Sequence, residues 1–291
     1  MKIIDSHLHF SNREGFKTTA REIGYLNYSA SGLKKEFEQS NVVAGVIMAT
    51  PDRKPYKPSG YPKEFILEDG TLDCLLSCVG VNPEQIKQNS SEINFIEEEL
   101  NKNMVTGIKI YAGYFHYYVY DAIYDPIYEL AKKYNVPVAI HCGNTQSSRG
   151  LLKYSHPLTI DELAVKHQDI TFIICHMGVP WIMDTAELIS KNHNVYTDLS
   201  GLIAGNREQI KKMQDKKLYV EYIKQGLEYA SQYNKVLFGS DWPLVPISPY
   251  IEFIKDIIPE AFHENVFYKN ALAVFPKMKK LIQSLNLNDC C

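Results

Sequence analysis

Four histidines and one aspartate stand where short apolar runs end. His7 and His9 close Ile4-Asp5-Ser6-His7-Leu8-His9, and His141 closes Val138-Ala139-Ile140-His141 ahead of Gly143. His176 follows Ile173-Ile174-Cys175 ahead of Gly178, and Asp241 follows Phe238-Gly239-Ser240 ahead of Pro243. Imidazole nitrogens and a carboxylate oxygen are ligands for divalent cations, Zn²⁺ first, with Mn²⁺, Fe²⁺ or Co²⁺ as alternatives. Left buried without a partner, each such group would cost on the order of several kcal/mol, and one shared cation is the simplest compensation. Strand side chains alternate with period 2, so His7 and His9 share a face and Asp5 points with them. The same rule turns Cys142 and Cys175 to the opposite face, toward the helices, as core residues rather than ligands. The chemistry such a set supports is metal-assisted. A divalent ion lowers the pKa of bound water from about 15.7 toward about 7. Asp241 accepts the proton and passes it to a leaving group, while the ion or His176 polarises a carbonyl. A decarboxylase can use the same parts, with Asp241 or His176 protonating the ring carbon.

Eight apolar runs carry these residues, over 3–10, 42–50, 74–81, 106–111, 136–143, 170–177, 194–201 and 235–241. Most lack a solvent-facing side, as buried parallel strands do. Helical patterns lie between most of them, over 33–41, 93–101, 125–134, 159–166, 180–191, 218–233 and 249–258. The helix over 159–166 is read as opening on a capping box, Thr159 with Glu162. A tail helix over 271–285 closes the chain. Two segments read as irregular: 11–31, and the stretch after the second strand, which Pro51, Pro55, Pro58, Gly60 and Pro62 break up. Both leave C-terminal strand ends, where an α/β barrel carries its site. The expectation is therefore a single α/β domain over 1–291, a (β/α)8 TIM-like barrel with a metal site at the C-terminal ends of the strands. An open doubly wound sheet is the alternative.

In order along nearly the whole chain, the motifs resemble the amidohydrolase superfamily, in particular its amidohydrolase-related branch of hydrolases, lactonases and decarboxylases. They are Ile4-Asp5-Ser6-His7-Leu8-His9, Gly107-Ile108-Lys109-Ile110, Ile140-His141-Cys142-Gly143, Cys175-His176-Met177-Gly178, Thr197-Asp198-Leu199-Ser200-Gly201 and Gly239-Ser240-Asp241-Trp242-Pro243. The resemblance implies a barrel holding one or two divalent ions, with His7, His9, His141 and Asp241 as metal ligands. It places His176 either in catalysis, polarising substrate or water, or on a second ion. It also allows a carboxylated Lys109 to bridge two ions, although the branch often has a lysine there without a metal role.

Further residues are candidates for substrate contact. Lys109 is read as pairing with Asp241 or with a substrate carboxylate. Arg149, in a polar loop after His141, is either a carboxylate clamp or a solvated loop arginine. Tyr111, Tyr114 and His116 follow Lys109 and are placed to line a pocket. Trp181 and Trp242 are each read as part packing and part pocket wall. Asp198 is read as structural or catalytic, and His156, His167, His193 and His263 as surface residues.

Composition excludes other classes. With 45% hydrophobic and 22% charged residues, the 291-residue chain is neither disordered, collagenous nor a coiled coil. The 31 basic and 34 acidic residues leave a net charge of −3 and no basic stripe, which argues against nucleic acid and acidic membranes. Six cysteines are too sparse for a disulfide scaffold. No apolar stretch of about 18 residues is present, and the first residues, with Asp5, do not read as a secretory signal. The expectations are a cytoplasmic enzyme with a small-molecule substrate, and a homodimer on base rates alone.

Overall fold

The computed structural model describes residues 1–51, 67–89 and 91–288. Eight strands run in chain order: β1 (Ile3–Leu8), β2 (Val42–Met48), β3 (Leu75–Gly80), β4 (Val105–Ile110), β5 (Val138–Ile140), β6 (Phe172–Ile174), β7 (Val195–Asp198) and β8 (Val236–Leu237). Each pairs in parallel with the next, in the order β1 to β8. The last strand returns to the first through backbone hydrogen bonds just beyond β8. Ser6 N donates to Phe238 O (2.9 Å), Asp241 N to His7 O (2.8 Å) and His9 N to Trp242 O (2.7 Å). The sheet is thus a barrel and not an open doubly wound sheet.

Helices alternate with the strands: α1 (Glu14–Thr19), α2 (Ala30–Ser40), α3 (Pro83–Gln88), α4 (Ser91–Leu100), α5 (Asp125–Tyr134), α6 (Thr159–Lys166), α7 (Ile182–Lys191), α8 (Arg207–Gln214), α9 (Lys217–Ala230), α10 (Ile247–Ile257), α11 (Asn270–Val274) and α12 (Met278–Asn288). Their apolar faces pack on outward-facing strand residues such as Ile47, Ile108, Val138, Phe172 and Ile174 in one continuous cluster. A second cluster fills the barrel interior. Ile4, Val46, Leu76, Ala139, Ile173 and Leu237 meet Phe275, Met278 and Ile282 from the tail. The tail therefore plugs the N-terminal end of the barrel, where Lys277 N also reaches Thr106 Oγ1 at the start of β4 (3.4 Å).

Three local expectations give way. The tail is two helices rather than one over 271–285, because Pro276 cannot continue a helix and lies in the break between α11 and α12. Thr159 does not cap α6. Its hydroxyl donates back to His156 O (2.8 Å), and the N-cap position belongs to Leu158. A capping box does form at α8, where Asn206 and Gln209 exchange side-chain bonds to each other's backbone N–H. The segment 11–31, read as irregular, contains α1 and a π-turn over Ala20–Gly24. Most of the second irregular stretch lies outside the described residues.

Candidate metal centre

A cavity of about 880 Å³ opens at the C-terminal ends of the strands. His7, His9, His141, His176 and Asp241 all line it, as do Lys109, Tyr111 and Tyr114. The segments that bring them there are not plain strand. β6 stops at Ile174, and His176 (φ 61°) and Met177 (φ 48°) take left-handed conformations. Asp241, beyond β8, does the same (φ 61°). Such backbone costs about 1–2 kcal/mol per non-glycine residue, and here it swings side chains over the barrel mouth. Gly201 (φ 61°) passes so close that an added Cβ would stand 2.7 Å from His176 Nδ1 and 2.9 Å from Asp241 Oδ2.

The kink at His176 overturns one strand-facing expectation. Cys175 stays in phase with Ile173 and points into the barrel, not toward the helices. Its Sγ accepts a hydrogen bond from Lys109 Nζ at 2.7 Å. Cys142 packs with the outer cluster and also borders the cavity.

Each histidine is held by one ring nitrogen from outside the cavity. His7 Nδ1 meets Asp198 Oδ2 (2.8 Å), and His9 Nδ1 meets the Met48 carbonyl (2.9 Å). His141 Nε2 meets the Asn144 carbonyl (3.0 Å). His176 Nδ1 meets Ser200 Oγ (2.8 Å) and the Ser200 carbonyl (3.2 Å). Carboxylates and carbonyls only accept, so each held nitrogen carries the proton and the opposite nitrogen keeps a lone pair. Those second nitrogens converge. His9 Nε2 lies 3.1 Å and His7 Nε2 3.6 Å from Asp241 Oδ1, and His176 Nε2 lies 3.1 Å from His141 Nδ1. His7 Nε2 and Asp241 Oδ1 are buried and have no hydrogen-bond partner. His7, His9 and Asp241 each offer one ligand atom within 4.8 Å of the others, a grouping able to hold a metal ion.

Electrostatics match this geometry. Burial pushes the His7 imidazole down to about 4, against the pull of Asp198, and pushes His141 and His176 below their usual value. Neutral imidazole is the ligand form. Burial alone would raise the Asp241 and Asp198 carboxyls. The imidazoles of His7, which donates to Asp198, and of His176 outweigh it at Asp198 and hold that carboxyl below the ordinary range. Asp5 is different. Burial pushes it up to about 7 although Ser240 N, Ser240 Oγ and His7 N all donate to it.

Lys109 is fully buried and forms no ion pair with Asp241. Its partner is Cys175, and its ammonium lies 5.3 Å from the Tyr111 ring centroid. Burial opposes its charge, but Cys175 and Asp198 outweigh that and raise its pKa. Tyr111 Oη donates to the Met48 carbonyl that also holds His9 (3.0 Å). Arg149 is not brought in. It is exposed on its loop, outside the cavity lining. Trp242 is fully buried and stacks on Tyr28 (4.7 Å) and Phe10 (6.3 Å), so it packs and does not form a wall. Trp181 leans on His156 (4.5 Å). Of the four histidines read as surface, His193 is exposed, while His167 and His263 sit half-buried beside Tyr128 and Phe267.

Sequence reasoning missed Arg13 and Phe16, which also line the cavity. Phe16 lies flat on His9 (4.7 Å, 15°), and Arg13 donates to the Thr50 carbonyl (3.2 Å). Both sit in the segment read as irregular, where no strand period marks a residue's facing. The carbonyls of Met48 and Asn144 have no signature in residue type at all.

The amidohydrolase family profile matches residues 91–277. No curated protein matches the chain. Among solved structures, a probable 2-pyrone-4,6-dicarboxylic acid hydrolase from Acinetobacter baumannii, with citric acid bound, is 16% identical at a TM-score of 0.62 and covers 95% of this chain and 100% of its own. A 2,6-dihydroxybenzoate decarboxylase from Rhizobium is 14% identical at 0.64, covering 95% and 99%. An amidohydrolase from Burkholderia multivorans with bound zinc is 13% identical at 0.59, again covering 95% and 99%. At such identities the likeness to each is one of fold. The family is metal-dependent and includes both hydrolases and decarboxylases. With its profile matched over more than half of the sequence, the chain belongs to the amidohydrolase family.

Proposed function

We propose that the protein is a metal-dependent hydrolase of a small carbonyl substrate, an ester, lactone or amide, with His7, His9, His141 and Asp241 as metal ligands. The observation that carries this reading is the convergence of acceptor atoms. Ring nitrogens of four imidazoles and Asp241 Oδ1 crowd the mouth of the barrel, and His7 Nε2 and Asp241 Oδ1 are buried without a hydrogen-bond partner. Lone pairs facing one another repel, and a buried acceptor left unsatisfied costs about 1–3 kcal/mol. A cation of Zn²⁺ type fits this donor set of nitrogens and oxygen. When bound, it supplies Lewis acidity, making water a better nucleophile and a carbonyl a better electrophile.

The chain's own residues supply the rest. Asp241 keeps Oδ2 beyond the ligand cluster, 3.9 Å from His176 Nδ1. As a carboxylate it takes a proton from the attacking water and returns it to the leaving group. His176 presents Nε2 to the cavity and hydrogen-bonds whatever polar group the substrate places there. Lys109, charged and fixed on the cavity floor by Cys175, attracts substrate oxygens that gain negative charge. Phe16, Tyr114 and Phe115 give the cavity apolar walls that exclude water.

Decarboxylation of a small aromatic or unsaturated acid is the second reading, favoured by the fold likeness to 2,6-dihydroxybenzoate decarboxylase and 5-carboxyvanillate decarboxylase. Zinc-loaded protein assayed against lactones, aryl esters, amides and hydroxybenzoates, with CO₂ detection, separates the two. Chelator-sensitive hydrolysis without CO₂ supports the first reading, and CO₂ release replaces it with the second. Failure of the protein to retain Zn²⁺ or Mn²⁺ would overturn both.

A further inference from the structure

β7 carries none of the proposed ligands, yet its end touches two of the four histidines. The Asp198 carboxylate, 1% exposed, accepts from four donors. Oδ2 takes His7 Nδ1 (2.8 Å). Oδ1 takes His176 N (2.9 Å), Ser200 N (3.1 Å) and the Ser200 hydroxyl (2.5 Å). Ser200 has a single hydroxyl proton, and Asp198 takes it. Its oxygen therefore offers only lone pairs to His176 Nδ1 at 2.8 Å, as does its carbonyl at 3.2 Å.

We infer that Asp198 is the positioning residue that sets the tautomers of two imidazoles, His7 directly and His176 through Ser200, so that both turn a bare nitrogen to the cavity. The tautomer claim stands on hydrogen bonding alone. Its consequence for metal affinity rests on the function proposed above.

The donor count makes a specific demand on Asp198→Asn. An asparagine has one accepting oxygen and one donating amide. Two of the donors at Oδ1 are backbone N–H groups that cannot reverse, so the amide oxygen must face them. The NH₂ group then faces His7 Nδ1, and the conflict is relieved when the His7 proton moves to Nε2. That places a proton where the wild-type protein holds a lone pair. Outer partners of ligating histidines are typically worth about 10–100-fold in metal affinity.

Long-range ¹H–¹⁵N spectra of histidine-labelled, metal-free protein report which ring nitrogen is protonated. Wild type should show His7 and His176 protonated at Nδ1. Asp198→Asn should show His7 protonated at Nε2 and a Zn²⁺ affinity, by chelator competition, about 10–100-fold lower. Ser200→Ala leaves His176 Nδ1 only the Ser200 carbonyl, so the Nδ1-protonated share of His176 should fall in the same spectra, with Ser200→Thr restoring it. Protonation of His7 or His176 at Nε2 in the wild type overturns the inference whether or not any variant folds. So does an Asp198→Asn protein in which His7 keeps its proton on Nδ1. The spectra need no metal, so a protein that binds no Zn²⁺ would sink the proposed function and leave the tautomer question decided by the wild-type spectrum.

Discussion

The two ends of the barrel are built from the same eight strands to opposite standards. At the N-terminal end, Ile4, Val46, Leu76 and Ile173 close on Phe275 and Met278 in an apolar plug. At the C-terminal end the same strands lead to His7, Lys109, His176 and Asp241, with left-handed backbone at His176, Met177 and Asp241 and buried polar atoms without partners. One end follows the packing rules and the other breaks several of them within a few residues. Rule-breaking of this density marks where a fold carries its chemistry. The plug supplies the stability that lets the mouth be strained.

That contrast can be broken deliberately. Replacing both His7 and His9 with alanine should abolish metal retention, measured by elemental analysis, while the far end keeps the barrel folded by circular dichroism. Full metal occupancy in the double variant would refute the ligand assignment. Asp241→Asn should lower turnover by about 10²–10⁴-fold and leave the fold intact by circular dichroism. Wild-type rates would exclude Asp241 as the proton carrier. Phe275→Ala should do the reverse, costing about 3–5 kcal/mol of stability with metal content unchanged. Lost metal binding at unchanged stability would erase the distinction between the two ends.

The smallest effect tests a buried acid at the C-terminal end outside the cavity. Glu92, in the first turn of α4, accepts from Asn82 N (2.8 Å), and burial pushes its carboxyl up to about 7. A raised carboxyl favours the protonated form in the folded state. Its stabilisation is therefore complete below the unfolded value near 4.5 and is lost as pH rises through about 7. Glu92→Gln should flatten that fall and gain about 1–2 kcal/mol at pH 8 relative to wild type. An identical pH dependence in both proteins would show that Glu92 does not titrate in this range.

The strands, their order and the residues at their ends were legible because long apolar runs and a polar residue before Gly or Pro are local signals. Facing was legible only while period 2 held. It held for His7 and His9 and broke between Cys175 and His176, where the left-handed turn lets two successive residues both point inward. Arg149 and Trp242 drew notice by type and by nearness in sequence to a motif, but burial and loop path decide what reaches a cavity. Arg13 and Phe16 reach it from α1 and the turn before it, a segment with no buried residue in its helix and so no apolar pattern to read. The backbone carbonyls that hold His9, His141 and His176, at Met48, Asn144 and Ser200, were the least legible.

The seam that closes the barrel has a consequence for synthesis. Asp241 N bonds to His7 O and His9 N to Trp242 O, so the strand made first waits for the strand made last. Roughly two hundred and thirty residues separate His9 from Asp241. At about 5–20 residues per second, a ribosome takes on the order of ten seconds or more to deliver the partner. Through that interval the nascent chain would expose β1 with an open edge, and the proposed ligand set would be incomplete. A captured ion would therefore act as a clasp across the seam, and a full complement of metal would certify that the chain had been translated at least as far as Asp241.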